Sequence, residues 1–146
     1  MEFRRPIFSE VLDRMNEPRR FIQVLAGPRQ VGKSTLMDQV LSDCPITQYL
    51  FNADGVDEND SDWIRRVWES TRSQMDIKNQ TEAVMVIDEI QKIKQWSEIV
   101  KREWDADTRA RRNLKIFLLG SSRLMLRKGL KESLAGRFEI IRLGHW

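Results

Sequence analysis

The sequence predicts an α/β domain in which helices cover both faces of a mostly parallel sheet. Apolar runs of strand length alternate with longer segments of helical periodicity, which is the pattern of such a domain. Two of the runs, at 83–87 and 115–119, are apolar at nearly every position, as in strands buried on both faces. In sheets of this kind, ligands bind at the carboxyl ends of the strands.

The individual elements follow from local patterns. Strands are predicted where short β-prone runs stand between turn-forming residues, at 21–26, 46–51, 83–87, 115–119 and 138–143. Helices are predicted where apolar residues recur every three or four positions, from Ile7 to Met15 and at 33–42, 59–76, 96–105 and 122–134. Strand and helix alternate with no linker-like segment between them, so the chain forms a single domain.

Composition limits the function classes. A chain of 146 residues is long enough for one sizeable core, and a net charge of +3 permits contact with a polyanion without predicting it. The single cysteine, Cys44, cannot form an intrachain disulfide, and no apolar run approaches the roughly 18 residues of a membrane span. We therefore expect a soluble cytoplasmic protein that does not enter a membrane.

The segment GPRQVGKS, from Gly27 to Ser34, matches the phosphate-binding loop pattern G-x-x-x-x-G-K-[ST] without a mismatch. The two glycines let the loop curl, so that backbone N–H groups and the N-terminus of the next helix face an anion. Lys33 adds a positive charge at the outer phosphates, and the Ser34 hydroxyl can coordinate Mg²⁺. The predicted nucleotide-binding residues are Gly27, Pro28, Arg29, Gln30, Val31, Gly32, Lys33, Ser34 and Thr35. For Arg29, a structural or solvated role is favoured over contact with phosphate or a neighbouring chain.

Two adjacent acids, Asp88 and Glu89, end the apolar strand at 83–87. Ionised groups at the end of a buried strand are costly without partners, and a bound Mg²⁺ would supply one. Asp88 would hold the metal and Glu89 would act as the general base that activates water. A strand-end turn with solvated acids is the alternative, but the phosphate loop earlier in the chain favours the catalytic interpretation.

The strand at 115–119 is followed by small polar residues, Gly120, Ser121 and Ser122. The two hydroxyls could bond the γ-phosphate or the attacking water, which makes these serines candidate sensors of the nucleotide. Ser122 suits equally well the position of an N-cap on the next helix. We favour the functional role for Ser121 and leave both roles open for Ser122.

Taken in order, the motifs GPRQVGKST, VIDEIQ, FLLGSS and ESLAGRFEIIRLGHW resemble the AAA-type P-loop ATPases. The resemblance is strongest to a bacterial and archaeal group whose members join this module to a C-terminal domain. It implies a P-loop three-layer sandwich with strand order 5-1-4-3-2. It also implies that Lys33 and Glu89 are catalytic, that Asp88 and Ser34 hold Mg²⁺, and that Ser121 or Ser122 is the sensor.

The same resemblance assigns a role to Arg137, in LAGRFE. It occupies the position of an arginine that would neutralise transition-state charge, in cis or from a neighbouring chain. A surface arginine at a helix–strand turn is the alternative. AAA-type ATPases usually continue into a helical lid, whereas this sequence stops at GHW. We expect residues 1–146 to be the ATPase core of a longer protein, with weak nucleotide affinity and slow turnover by themselves.

The sequence thus predicts an Mg²⁺-dependent ATPase that binds ATP and ADP, the adenine preference resting on the resemblance alone. A nucleotide-gated switch with little turnover, signalling to an absent effector domain or a protein partner, is the alternative. A small-molecule kinase is less favoured, because no acceptor pocket is evident. An oligomer is compatible with the family. The basic segment 108–115 could meet nucleic acid, but a solvated loop is favoured.

Overall fold

The computed structural model describes residues 6–27, 33–121 and 134–142, without the side chains of residues 6–8 and 33–36. The helices are α1 (Pro6–Asn16), α2 (Lys33–Asp43), α3 (Asp62–Ile77) and α4 (Trp96–Ala110), with a 3₁₀ turn at Ile90–Lys92. The strands are β1 (Ile22–Gly27), β2 (Gln48–Asn52), β3 (Ala83–Asp88), β4 (Leu114–Ser121) and β5 (Phe138–Arg142). The predicted helix at 122–134 lies outside the described residues, apart from its last position.

The five strands form one sheet in the order β2-β3-β4-β1-β5, and every neighbouring pair is parallel. This is the predicted order 5-1-4-3-2, read from β5 to β2. The predicted fold class, a parallel sheet between helical layers, is therefore confirmed. β2 and β5 are the two outer strands, and β4 lies between β3 and β1.

Burial of both faces explains why the central strands are apolar. Along β3, Met85 and Ile87 pack with α3 and α4, whereas Val84 and Val86 pack with α1 and α2. This alternation is the period of two that a strand imposes on its side chains. Every residue of β1 is buried, as is every residue of β4 before Ser121. The polar side chains of these strands are therefore concentrated near the strand ends.

Helix α4 is longer than predicted and ends at Ala110 instead of residue 105. Arg111 follows in the left-handed region, with φ of 57°, and its N–H donates back to the last turn of the helix. Lys115 is 5% exposed at the start of β4, where its ammonium donates to Met15 O at 3.0 Å and contacts Glu82 Oε2 at 2.9 Å. The prediction of a loop over 108–115 is therefore wrong, because this segment ends a helix and starts a buried strand, although residues 108–111 are exposed to solvent as expected.

A buried charge cluster, formed by Trp68, Arg72, Glu103 and Asp107, joins α3 to α4. Asp107 is 2% exposed and accepts hydrogen bonds from Trp68 Nε1 at 2.7 Å and Arg72 Nε at 2.8 Å. Arg72 also donates to Glu103 Oε1 at 2.8 Å. Burial disfavours the charge on Arg72, but its carboxylate partners outweigh that effect and raise its pKa above the ordinary value. The cluster thus fixes how α3 and α4 pack beneath the sheet.

No helix in the described part of the chain is both long and apolar enough to cross a lipid bilayer.

Replacing Asp107 by Ala is expected to lower the free energy of unfolding by about 3 kcal/mol, since it leaves the buried Trp68 N–H without its partner and removes one of the carboxylates that hold the Arg72 guanidinium. Urea unfolding monitored by tryptophan fluorescence measures this loss. Asp76→Ala, which removes an exposed carboxylate paired with Arg112, is the matched control and should change stability little. Equal losses in the two variants would show that the buried charge cluster does not stabilise the helix pair.

Candidate functional site

The carboxyl ends of the three central strands meet at one edge of the sheet. Gly27 pairs in register with Ser121, and Asp88 pairs with Leu119, two residues before Ser121. Because neighbouring strands lie about 4.8 Å apart, the last residues of β1 and β3 are separated by about 10 Å across β4. Three of the predicted site residues, Gly27, Asp88 and Ser121, are therefore brought together.

The phosphate-loop motif lies between a strand and a helix, as the motif requires. β1 ends at Gly27 and α2 begins at Lys33, so the N-terminus of α2 follows directly on the loop. Pro28, Arg29, Gln30, Val31 and Gly32 lie outside the described residues. Lys33, Ser34 and Thr35 form the first turn of α2, and their side chains also lie outside the description.

Asp88 and Glu89 stand where β3 leaves the sheet. Asp88 is half-buried, and its carbonyl accepts a hydrogen bond at 2.9 Å from the N–H of Ala53, which follows β2. Glu89 then adopts the left-handed conformation, with φ of 57° and ψ of 34°, and begins the 3₁₀ turn. This conformation is uncommon for a residue other than glycine, and such residues cluster at functional sites. The chain therefore turns sharply between the two predicted catalytic acids.

The Glu89 side chain is 19% exposed and has two partners on its own turn. Gln91 Nε2 donates to Glu89 Oε2 at 2.9 Å, and the Lys92 ammonium lies 3.8 Å from the same oxygen. Lys92 also bonds to the carboxylate of Asp54, in the loop after β2. Sequence reasoning gave no role to Gln91 or Lys92, although Gln91 is the last residue of the motif VIDEIQ.

A cavity of about 210 Å³ opens beside Asp88, between α2 and the β2 side of the sheet. Its walls include Met37 and Leu41 of α2, and Asn52 lies at its carboxyl-edge end. Asn52 pairs in register with Asp88, and its side chain accepts the N–H of Asp54 at 2.8 Å. The Asn52 side chain thus helps to form the turn after β2.

Ser121 is half-buried at the last position of β4, beside Gly27. The strand extends two residues beyond its predicted carboxyl end, so Gly120 and Ser121 belong to the sheet. Ser122, the other predicted sensor, lies outside the described residues.

Arg137 lies at the amino ends of the strands, opposite the carboxyl ends where the predicted site residues meet. Its carbonyl accepts the N–H of Ile22, the first residue of β1, at 2.7 Å. Since β1 spans Ile22–Gly27 and a parallel strand rises about 3.3 Å per residue, Arg137 is about 16 Å from the start of the phosphate loop. The chain does not bring Arg137 to the predicted site residues of the same molecule.

Two hydrogen bonds hold the Arg137 guanidinium to the Asp105 carboxylate, at 2.7 Å from Nε and 3.0 Å from Nη2. This contact raises the pKa of Arg137 above its ordinary value, so the group stays charged. A third bond runs from Nη1 to the carbonyl of Ala135, at 3.1 Å. Within one chain, Arg137 therefore ties the turn before β5 to α4.

Residues 19–146 match the family model of an AAA domain. No curated protein matches the sequence. A structure that describes the basis for katanin self-assembly has 20% identity and a TM-score of 0.57, over 95% of this chain and 46% of that one. RIF2 of Saccharomyces cerevisiae has 12% identity and a TM-score of 0.60, over 94% of this chain and 54% of that one. The chain spans about half the length of these two chains, and the likeness to them is one of fold.

Proposed function

This chain belongs to the AAA domain family, and on that premise we propose that it binds ATP at the carboxyl edge of its sheet and hydrolyses it with Mg²⁺. Family membership supports a nucleotide-binding, ATPase-type function in general. The observation that supports the finer proposal is the convergence of Gly27, Asp88 and Ser121 at one edge. A phosphate loop, a carboxylate and a hydroxyl are the groups that binding and cleaving a triphosphate requires.

Binding depends on the loop between β1 and α2. Its N–H groups and the partial positive charge at the start of α2 attract the phosphates, and Lys33 neutralises the charge on the outer ones. Residues 27–35 contribute to this cradle. Gly27, the last residue of β1, is buried among the central strands, which gives the loop a rigid starting point.

The residues present fit an Mg²⁺ ion held together with the nucleotide. Asp88 ends β3 at the carboxyl edge, and Ser34 is in the first turn of α2, which begins at that edge. Mg²⁺ is commonly bound by one or two protein oxygens together with substrate phosphates, so a carboxylate and a hydroxyl are a sufficient protein contribution. Held by Asp88 and Ser34, such an ion would supply positive charge that offsets the negative charge of the phosphates.

In the hydrolysis step, Glu89 acts as the general base. A water molecule attacks the γ-phosphorus, its O–H bond breaks, and the proton passes to the Glu89 carboxylate. The new O–P bond forms as the bond between the γ-phosphorus and the bridging oxygen breaks, and ADP leaves with that electron pair. Ser121 hydrogen-bonds the γ-phosphate and thereby distinguishes ATP from ADP.

Arg137 acts on the nucleotide of a neighbouring copy in this proposal. Its distance of about 16 Å from the phosphate loop of its own chain supports a role in trans. A head-to-tail assembly would bring the amino edge of one sheet towards the carboxyl edge of the next. Arg137 would then exchange Asp105 for the transferring phosphoryl group.

A second candidate function is a nucleotide-gated switch with little turnover. The observation that favours it is the engagement of Glu89 by Gln91 and Lys92, together with the bond from Lys92 to Asp54. If these contacts withhold the carboxylate from water, the domain would hold ATP and cycle rarely. Contact with an effector domain, a protein partner or a nucleic acid would then free the Glu89 carboxylate for hydrolysis.

Glu89→Gln is expected to bind ATP with unchanged affinity and to lose about 10²- to 10⁴-fold in turnover, because the amide cannot take a proton from water. Isothermal titration and a phosphate-release assay measure the two quantities. Glu98→Gln, at an exposed position on α4, is the control and should retain turnover. Unchanged hydrolysis in Glu89→Gln would exclude Glu89 as the base, and tight binding without hydrolysis in the wild type would favour the switch.

Arg137→Ala is expected to lower turnover by about 10³-fold or more, the usual value of such an arginine in phosphoryl transfer. Asp105→Ala is the matched control, since it breaks the same ion pair but keeps the guanidinium and should keep turnover. Mixing Arg137→Ala with Lys33→Ala subunits should restore part of the activity, because each supplies what the other lacks. Equal turnover in Arg137→Ala and Asp105→Ala would assign the arginine a purely structural role.

A further inference from the structure

The Glu89 carboxylate is held through one of its two oxygens. Gln91 Nε2 and Lys92 Nζ both approach Oε2, at 2.9 Å and 3.8 Å. None of the described residues contacts Oε1 within hydrogen-bond or ion-pair distance. One oxygen is thus held by the turn, and no residue in the described part of the chain holds the other.

Gln91 is placed to hold this carboxylate firmly. It is 4% exposed and lies between Ile90 and Lys92 in the 3₁₀ turn. Ile90 and Ile93 are both fully buried, and Ile93 N–H donates to Ile90 O at 3.2 Å, so the backbone that presents Gln91 is rigid. A buried glutamine amide on such a turn has little freedom to move away from Glu89.

The orientation of the Gln91 amide follows from chemistry. Rotating it by half a turn would place its oxygen against the Glu89 carboxylate, where two acceptors repel each other. In the observed orientation the amide nitrogen donates to Glu89, and the buried Oε1 has no hydrogen-bond partner among the described residues. A buried unpaired acceptor is destabilising, and an apolar side chain of similar size would avoid it. The hydrogen bond to Glu89 is the favourable contact that an apolar side chain could not make.

We propose that Gln91 is a positioning residue for hydrolysis, which fixes the Glu89 carboxylate by its Oε2 so that Oε1 takes the proton from the attacking water. The proposal rests on the assignment of Glu89 as the general base. Gln91 touches neither nucleotide nor water in this role. Its loss therefore lowers kcat and leaves ATP affinity unchanged, since the nucleotide is bound by other residues.

Lys92 completes the arrangement from the exposed side. Its ammonium lies between the carboxylates of Glu89 and Asp54, and the side chain is 30% exposed. The contact with Glu89 is longer and more solvated than that of Gln91. Lys92→Met is therefore expected to lower kcat less than the loss of the Gln91 amide does.

The chain contains a matched control for Gln91. Gln23 is 5% exposed, its Nε2 donates to a carboxylate oxygen of Glu139 at 2.8 Å, and its buried Oε1 likewise has no partner in the part of the chain that the structure describes. It differs in its place, because it is the second residue of β1 and lies near the amino edge of the sheet. The unpaired oxygen is therefore no sign of function by itself; the contact with Glu89 distinguishes Gln91.

The test compares Gln91→Met with Gln23→Met in the full chain, by phosphate release, ATP titration and thermal unfolding. Gln91→Met should lower kcat about 10- to 100-fold, the cost of a misplaced reacting group, with ATP affinity unchanged. Gln23→Met should retain kcat. In a Glu89→Gln background, Gln91→Met should cause no further loss, because the two residues act as one unit. Should Gln91→Met fail to fold, Gln91→Asn, which keeps the amide but is one methylene shorter, should show the same loss of kcat.

Equal kcat in Gln91→Met and Gln23→Met would overturn the positioning role, as would a further loss in the Glu89→Gln background. These results differ from a failure of the proposed function. If Glu89→Gln hydrolyses ATP like the wild type, Glu89 is not the base and both proposals fall. If Glu89→Gln is inactive while Gln91→Met is fully active, only the positioning role falls.

Discussion

Burial of the sheet on both faces is the constraint on which the other features depend. Side chains of β1, β3 and β4 point alternately into two apolar cores, one under α1 and α2 and the other under α3 and α4. Ionised groups inside those layers would be costly without partners, so polar chemistry is placed near the ends of the strands. Because all five strands are parallel, their carboxyl ends share one edge and their amino ends share the other.

The two edges differ in what their polar residues contact. At the amino edge, side chains bond to one another and to the backbone: Lys115 to Met15 and Glu82, and Arg137 to Asp105. These contacts fasten α1, α4 and the start of β5 to the sheet. At the carboxyl edge lie the start of α2, the paired acids and a cavity. The anchoring contacts and the proposed ligand site therefore lie at opposite ends of the strands.

The fold was predictable because it depends on local patterns. The apolar runs at 83–87 and 115–119 identified two central strands. The phosphate-loop motif required a strand before it and a helix after it, and these are β1 and α2. Errors occurred where long-range contacts decide the outcome. Lys115 belongs to a basic run in the sequence, but its pairing with Glu82 across the strands allows it to be buried. The resemblance singled out Arg137 as a functional residue without indicating the edge at which it lies.

The surroundings of Glu89 were also beyond sequence reasoning. The motif named the two acids, but the contacts of Gln91 and Lys92 follow from the left-handed backbone at Glu89, which an ordinary strand end would not have. A residue other than glycine in that conformation cannot be recognised from periodicity. We propose that the carboxyl edge is a nucleotide site whose general base is held in place by its own turn.

The most direct test of that claim is the change in amide chemical shifts on addition of a non-hydrolysable ATP analogue with Mg²⁺. We expect shifts at Gly27, Asp88 and Ser121, at the carboxyl edge, while the shifts of Lys115 and Phe138 at the amino edge stay unchanged. Shifts centred on the amino edge, or none at either edge at saturating analogue, would contradict it.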